Sequence, residues 1–303
     1  MPIVVECPSC SARLNAPDAA AGKRIRCPKC RTPFPIPDRP QPIVQAAPRP
    51  RASSDTPSNL DLPVAKATTT FPNAPKYDSK LSQLDIEMQF AWIPPGTFLM
   101  GGNGVKDNPQ HRVTISKGFW MGIFPVTQAQ WQAVMGYNPS KFRGDDRPVE
   151  MVSRLDCQEF CQKMAKLTDK PIRLPTEAEW EYACRAGTTS EYWSGNGADA
   201  LKKAGWFDGN SGKETKPIGK LAPNPWGLYD IHGNVWEWCS DWYGLLTIEN
   251  QIDPEKRSNV HTVLLRGGGW DSDPDYCLAA CRFRSSPDSR VFSFGFRVCF
   301  RLD

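Results

Sequence analysis

The sequence contains few histidines and no long apolar run. Its 303 residues include 3 histidines, no two of which are close together in the chain, and it shows neither a Ser-His-Asp pattern nor a phosphate-binding loop. No stretch approaches the ~18 apolar residues of a membrane helix, and the first ten residues lack the basic and apolar regions of a signal peptide. We therefore expect a cytoplasmic protein without a membrane partner.

An excess of one charge sign is also missing from most of the chain. Residues 1–60 carry nine Lys/Arg and four Asp/Glu, whereas the remaining residues carry 28 and 29. A protein that binds nucleic acid through electrostatics needs a clear basic excess. Any such binding is therefore expected at the N-terminus only.

Aromatic residues are almost absent from an early segment that is rich in proline. There are 11 prolines between Pro33 and Pro75, whereas all 11 tryptophans lie between Trp92 and Trp270. A segment with so little apolar area cannot offset the entropy cost of ordering. The composition therefore predicts a small module over 1–38, a disordered Pro-rich linker over 39–82 and a larger domain over 83–303.

The small module contains two CxxC motifs, Cys7 with Cys10 and Cys27 with Cys30. Four thiolates at this spacing form a tetrahedral site that suits a structural zinc ion, and a pair of redox disulfides is the alternative. Metal binding would supply the folding energy that so small a core lacks. The pattern resembles the short zinc ribbons at the N-termini of many bacterial proteins, which implies that it recruits a partner such as a protein. Its basic residues could also contact nucleic acid weakly, and the alternative is that they only keep the module soluble.

In the larger domain, helix starts are predicted at Thr127, Ser153 and Thr176, the last within a Ser/Thr-x-x-Glu capping box. The second helix is expected to turn four apolar residues inward, namely Phe160, Cys161, Met164 and Leu167. Alternating residues at 90–93 and 112–115 predict strands, and much of the rest is loop. The larger domain is therefore expected to be α+β with little regular secondary structure.

Six motifs occur in the order typical of one protein family. They are PPGTFLMGG at 94–102, VTQAQW at 126–131, RLPTEAEWEYA at 173–183, GLYDIHGNVWEW at 227–238, LRGGGW at 265–270 and GFRV at 295–298. Together they resemble the formylglycine-generating enzyme, or sulfatase-modifying factor, family over about residues 88–301. The resemblance implies the C-type-lectin-like fold of that family.

The GLYDIHGNVWEW motif places two hard oxygen donors, Asp230 and Glu237, on either side of a Gly-Asn turn, which outlines a calcium loop. The resemblance implies a structural calcium ion held by these two side chains and by the carbonyl groups of Gly233 and Val235. The alternative is that Asp230 caps a turn and Glu237 pairs with an arginine. A second calcium site upstream, over 206–212, stays open.

The family oxidises a substrate cysteine to formylglycine with O2 at a copper(I) ion that two thiolates hold. The resemblance places the second copper cysteine on Cys277, but the first falls on Ser272 and a family serine falls on Gly269. A serine hydroxyl is a poor ligand for this soft ion. Half of the copper site is therefore missing, and Cys281 would restore it only with a different geometry.

The segment over residues 270–294 has the composition of a binding hot spot. The alternative is that these side chains pack in the core. The candidate ligand-binding residues are Trp270, Asp271, Asp273, Asp275, Tyr276, Arg284, Asp288, Arg290, Phe292 and Phe294. The remaining cysteines of the domain, Cys157, Cys161, Cys184, Cys239 and Cys299, are predicted to be buried thiols.

These observations favour a module that binds a protein or peptide ligand at its C-terminal face and is tethered to a zinc ribbon. Two alternatives stay open. One is a copper-dependent formylglycine-generating oxidase with altered metal ligation, in which Cys277 is catalytic. The other is a retroelement-diversified variable binding protein, whose variable face would lie over residues 271–294.

Overall fold

The chain divides into two units, Met1–Gln45 and Ala46–Asp303. A computed structural model describes residues 3–6, 13–16, 24–31, 33–35, 77–81, 86–102, 108–257 and 261–302. Among these residues, no helix is long and apolar enough to cross a membrane.

The described residues of the first unit include two antiparallel strand pairs. The paired strands are β1 (Ile3–Glu6) with β2 (Arg13–Ala16), and β3 (Arg24–Arg26) with β4 (Pro33–Pro35). The second CxxC motif forms the turn between β3 and β4, where the Cys27 carbonyl accepts a hydrogen bond from the Arg31 amide at 2.8 Å. Cys7 and Cys10 lie outside the described residues, so the zinc ribbon stays a prediction.

The second unit combines short helices with many short strands. Its helices are α1 (Gln128–Met135), α2 (Arg154–Thr168), α3 (Glu177–Arg185) and α4 (Ala198–Ala204). Its strands are β5 (Tyr77–Leu81), β6 (Ile86–Ile93), β7 (Gly96–Met100), β8 (His111–Ile115), β9 (Phe119–Gly122), β10 (Gly205–Trp206), β11 (His232–Gly233), β12 (Trp236–Trp242), β13 (Gln251–Ile252), β14 (Val263–Arg266), β15 (Phe283–Ser285), β16 (Phe294–Gly295) and β17 (Cys299–Phe300). The expectation of an α+β domain with little regular secondary structure is confirmed.

The strands pair into small sheets, in the orders β17-β9-β6-β5, β13-β8-β7 and β15-β14-β12-β16, and β10 pairs with β11. Helix α3 contacts β12 and β14 of one sheet and β7 and β8 of another. It is therefore buried on all sides between two sheets. Strand β5 runs antiparallel to β6, from Tyr77 opposite Phe90 to Leu81 opposite Ile86. Strand β5 lies within residues 39–82, the predicted linker, whose bounds stay a prediction.

The predicted helix starts are confirmed. Thr127, Ser153 and Thr176 each accept a hydrogen bond from the third backbone amide of their helix, and the side chain of that third residue accepts one in return. Such capping boxes satisfy amides that have no partner within the helix. On α2 the inward prediction is wrong for Leu167, which is 37% exposed, because the helix turns its last residues away from the core.

Aromatic side chains fill the centre of the second unit. Trp131 is fully buried, stacks on Phe160 with ring centroids 5.5 Å apart and meets Phe296 edge-on at 5.9 Å. Cys157, Cys161, Cys184, Cys239 and Cys299 are buried, as predicted. Burial disfavours the charged thiolate and raises the pKa of Cys161 to about 12. These cysteines are therefore part of the core.

Buried ion pairs connect α3 to the last part of the chain. Glu177 accepts two hydrogen bonds from the guanidinium of Arg282, at 2.5 and 2.9 Å. One turn later, Glu181 pairs with Arg185 at 2.8 Å and with Arg266 on β14. Because each charge is paired and removed from water, these contacts fix the C-terminal segment on α3.

Candidate functional site

The position that the resemblance assigns to the first copper cysteine carries a hydroxyl with a structural role. Ser272 is 7% exposed, and its Oγ accepts a hydrogen bond from the Gly269 amide at 2.9 Å. Its own amide donates to the Gly269 carbonyl at 3.1 Å, and its carbonyl accepts from the Asp208 amide at 3.0 Å. The residue closes a turn and links it to the loop after β10.

Cys277 ends a short 3-10 helix, Pro274–Cys277, and is fully buried. Burial raises the pKa of its thiol well above the usual value, so the group is protonated at neutral pH. Gly268 lies against the sulfur with φ +78°, and a Cβ there would collide with it. A hydroxyl engaged in a turn and an enclosed, protonated thiol do not fit a two-thiolate copper(I) site. Burial also raises the pKa of Cys281, to about 12.

His232 holds the carbonyl of Cys277, a role that the sequence did not indicate beyond an ordinary hydrogen-bonded histidine. Its Nε2 accepts a hydrogen bond from the Trp193 amide at 3.2 Å, so its Nδ1 carries the proton and donates to the Cys277 carbonyl at 2.7 Å. Burial lowers the pKa of His232 to about 4. The neutral ring therefore joins β11 to the 3-10 helix.

The predicted calcium residues make other contacts. The Glu237 carboxylate accepts hydrogen bonds from Arg297 at 2.7 to 3.0 Å and from the Trp180 indole at 2.7 Å. Asp230 accepts from the Gly219 amide at 2.8 Å, and burial raises the pKa of its carboxyl to about 6.

Among the described residues, no group of three or more His, Cys, Asp or Glu could hold a metal ion. The contacts of Asp230 and Glu237 correspond to the alternative drawn from the sequence, an arginine pair and a capped turn. Gly233 and Val235, whose carbonyl groups the resemblance assigns to calcium, are buried as well. Calcium binding stays a prediction for measurement in solution.

Two of the predicted binding residues meet a loop that the sequence did not single out. Trp270 and Phe292 have ring centroids 5.6 Å apart, and the Trp270 indole donates to the Phe292 carbonyl at 3.1 Å. Phe142, from the loop after α1, meets Trp270 edge-on at 5.2 Å. We call these three partly exposed rings the aromatic cluster. The ammonium group of exposed Lys141 lies 4.7 Å from the Phe292 centroid and 5.2 Å from that of Phe142.

Three carboxylates follow Trp270 along the chain. Asp271, Asp273 and Asp275 are exposed, and none forms an ion pair within the described ranges. Asp273 lies close enough to Asp208 to raise the pKa of that carboxyl, second to burial, by like-charge repulsion. The next predicted binding residue, Tyr276, meets Trp236 edge-on with ring centroids 6.3 Å apart. The exposed segment that follows Trp270 is therefore acidic.

The other predicted binding residues lie elsewhere. Phe294 is a correction, because it is 5% exposed and meets Trp238 edge-on in the core, 5.4 Å between centroids. Arg284 stacks on Tyr243 at 4.8 Å, on the opposite side of β15 from Phe283. Arg290 pairs with Asp156 of α2 at 2.7 Å. Asp288 accepts a hydrogen bond from Ser286 at 2.5 Å in a turn.

The backbone beneath Phe142 is held by a buried carboxyl that the sequence gave no signal for. Oε1 of Glu150 accepts a hydrogen bond from the Phe142 amide at 2.7 Å. Its Oε2 is buried and has no hydrogen-bond partner among the described residues. Burial raises the pKa of Glu150 to about 7, although Lys141 and Arg143 oppose the shift. The loop of the aromatic cluster therefore rests on a group that titrates near neutral pH.

Short strands around a few capped helices, buried tryptophan and arginine motifs and an irregular C-terminal segment define a lectin-like α+β domain. The chain belongs to the family described as the sulfatase-modifying factor enzyme 1-like domain, whose model matches residues 79–302. The suspected family is thereby confirmed for the second unit.

Relatives with several different names share this domain. The "Chaperone protein LppX" of Paenibacillus barcinonensis is 32% identical over 53% of this chain and 71% of its own length. The "Formylglycine-generating enzyme" of Mus musculus is 32% identical over 62% of this chain and 52% of its own length. The chain thus spans about half the length of the mouse protein.

Solved structures agree with the fold. "Treponema denticola variable protein 1" superposes with a TM-score of 0.71 at 31% identity, over 76% of this chain and 100% of that one. PvdO from Pseudomonas aeruginosa superposes with a TM-score of 0.64 at 25% identity, over 75% of this chain and 99% of that one.

Proposed function

We propose that this chain is a binding module that recognises a protein or peptide ligand at its C-terminal face. The observation that carries the proposal is the aromatic cluster, which is partly exposed and is followed along the chain by three exposed carboxylates without ion pairs among the described residues. Exposed rings of Trp and Phe give large contact area at a low entropy cost, and charged neighbours give orientation. The binding face is the aromatic cluster together with Asp271, Asp273 and Asp275.

Oxidase activity of the family type has weaker support. Ser272 uses its hydroxyl within a turn, and the Cys277 thiol is enclosed and protonated. Neither group offers a thiolate at the surface. We therefore propose that the domain kept the family fold and lost half of the copper site. The alternative, an oxidase with altered metal ligation, requires Cys277 to become accessible.

The variable binding protein remains a second candidate, supported by one comparison. The structure named "Treponema denticola variable protein 1" is covered completely by this chain at 31% identity. Residues 271–294 would then differ among copies made from one gene. A template repeat next to the gene would support this candidate, whereas a sulfatase gene as neighbour would support modification of a sulfatase.

The first unit and the location of the protein complete the proposal. We propose that the CxxC motifs bind one structural zinc ion and that this ribbon recruits a protein, with nucleic acid as a weaker partner. The chain would act in the cytoplasm.

The binding proposal is tested by selecting phage-displayed random peptides on the full-length chain. The selection should enrich peptides that bind the wild type and do not bind the variants Trp270→Leu and Phe292→Leu. Ile248→Ala is the matched control, because Ile248 is an exposed apolar residue outside the binding face. A selection that yields no peptide dependent on Trp270 or Phe292 would contradict the proposal.

A further inference from the structure

The contacts of Lys141 allow the ligand of the binding face to be specified further. We infer that the aromatic cluster binds a lysine or arginine side chain of a partner polypeptide, and that Lys141 occupies this position in the unbound protein. The inference rests on the proposed function, because it names the ligand of the same face. It makes Lys141 an internal competitor.

The rings and the ammonium group have the geometry of a cation–π site. A cation within about 6 Å of a ring centroid is attracted to the negative face of the ring. The Lys141 ammonium satisfies this distance for two rings at once, Phe292 and Phe142. Trp270 contacts both of these rings, so a third aromatic surface adjoins the same place.

The rings are fixed independently of the lysine. The Phe142 amide donates to buried Glu150, and the Phe142 carbonyl accepts from the Gln128 side chain at 2.7 Å. The Trp270 indole is held by the Phe292 carbonyl. Since these contacts use backbone groups and the indole, the ring faces would stay in place if Lys141 moved away.

The Lys141 side chain is held more weakly than the three rings. Its side chain is exposed and forms no salt bridge within the described parts of the chain. An exposed cation–π contact contributes little free energy. A ligand that supplies its own cation can therefore displace Lys141 at a small cost.

The charges around the cluster favour a basic ligand. Asp271, Asp273 and Asp275 are exposed and have no ion pair among the described residues, so they would attract a positive group. The positive charge of Arg290 is already paired with Asp156. Arg284 lies on Tyr243, away from the cluster. Apart from Lys141, exposed Arg143 is a positive charge that the same loop carries, and an acidic ligand would also meet the three carboxylates.

The test uses the full-length chain and a tetralysine peptide as probe, with tetraglutamate as the comparison, in calorimetric titrations at low ionic strength. We expect tetralysine to bind and tetraglutamate not to bind. Lys141→Gln should bind tetralysine about two- to fivefold more tightly, which corresponds to one exposed cation–π contact.

A matched control separates ring occupancy from charge. Arg143→Gln removes the same charge from the same loop, and among the described residues Arg143 contacts no ring and donates to the Asn138 carbonyl. The gain in tetralysine affinity of Arg143→Gln should be smaller than that of Lys141→Gln. Equal gains would overturn the inference, because the lysine would then act through charge alone.

The rings provide the second control. Trp270→Leu and Phe292→Leu keep every charge and should each weaken tetralysine binding about two- to fivefold. Wild-type affinity in both variants would overturn the inference. The proposed function would survive that result if the phage selection had yielded neutral or acidic peptides that depend on Trp270, so the two failures are distinguishable.

Discussion

Of the two positions that the resemblance assigns to copper, residue 272 carries a hydroxyl in place of a thiol, and residue 277 carries a thiol that is fully buried. The Ser272 hydroxyl closes a turn on the Gly269 amide, and the Cys277 sulfur lies under Gly268. Each group has a structural task that a metal ligand could not perform at the same time. At the scale of single residues, the loss of one thiol therefore coincides with enclosure of the other.

The copper position gives the first prediction. Wild-type protein incubated with copper(I) and a CxPxR peptide should form no aldehyde from the peptide thiol. Ser272→Cys adds a second soft ligand. A copper(I) affinity at least about tenfold higher, or ~1.4 kcal/mol, would show that the fold kept the pocket and lost only the ligand, whereas no gain would show that the pocket has been rebuilt. Competition with a copper(I) chelator measures the affinity, and the double variant Ser272→Cys with Cys281→Ser is the control that should give the same result. Aldehyde formation by the wild type that depends on Cys277 would contradict the prediction.

Glu150 gives the second prediction, which concerns pH. Its folded pKa of about 7 exceeds the unfolded value near 4.5, so the folded state binds the extra proton. Its contribution to stability is complete below pH 4.5 and is lost as the pH rises through about 7.

Between pH 5 and pH 8 the free energy of unfolding should therefore fall by about 2 to 3 kcal/mol more in the wild type than in Glu150→Gln. Urea unfolding followed by tryptophan fluorescence measures this difference. Glu249→Gln, in an exposed loop, should reproduce the wild-type pH dependence. Identical slopes in the wild type and Glu150→Gln would show that Glu150 is ionised in the folded protein throughout this range.

At the scale of elements, α3 is the part on which the second unit depends most. It is buried between two sheets, begins with a capping box at Thr176 and carries the carboxylates that pair with Arg282 and Arg266. A helix with charges on a buried surface is stable only if every charge has its partner. The RLPTEAEWEYA motif therefore encodes both a helix start and the charges of two long-range contacts.

The third prediction compares a buried and an exposed ion pair. Glu177→Gln should lower the free energy of unfolding by about 3 to 5 kcal/mol, because it removes the buried carboxylate charge that pairs with Arg282. Glu159→Gln should lower it by about 0.3 to 0.5 kcal/mol, since the Glu159–Lys163 pair on α2 is exposed. Chemical denaturation of the full-length chain measures both. Losses of similar size would mean that the Arg282 charge finds water or another carboxylate.

At the scale of the whole molecule, the chain combines two units with different sources of stability. The second unit has an aromatic core and buried ion pairs. The described part of the first unit includes two short antiparallel strand pairs. Two-stranded hairpins are marginal in water by themselves, which supports the proposal that a metal ion stabilises this unit.

The fourth prediction follows from this difference. Metal analysis of the reduced, full-length protein should give one zinc per chain. Cys30→Ser should lower the zinc content toward zero, because three thiolates and a hydroxyl bind zinc much more weakly than four thiolates. Cys281→Ser is the control and should retain one zinc. Zinc-free wild-type protein under reducing conditions would contradict the zinc ribbon.

The sequence by itself determined the features that depend on neighbouring residues. Capping residues and helix periodicity act within a few positions, so the starts of α1, α2 and α3 could be read directly. The ordered motifs identified the family and therefore the fold. The ends of elements were less certain, as Leu167 shows, because they depend on packing against distant strands.

The tertiary structure alone decided how the proposed binding face is built. Lys141, Phe142 and Glu150 lie in a loop with no signal in the sequence, yet they meet Trp270 and Phe292 from the other end of the chain. In the same way, the Glu237 carboxylate, which the resemblance assigns to calcium, pairs with Arg297, 60 residues further along the chain. Local patterns set which residues are polar or aromatic, but only packing selects which of them touch, because contact energies depend on burial and geometry.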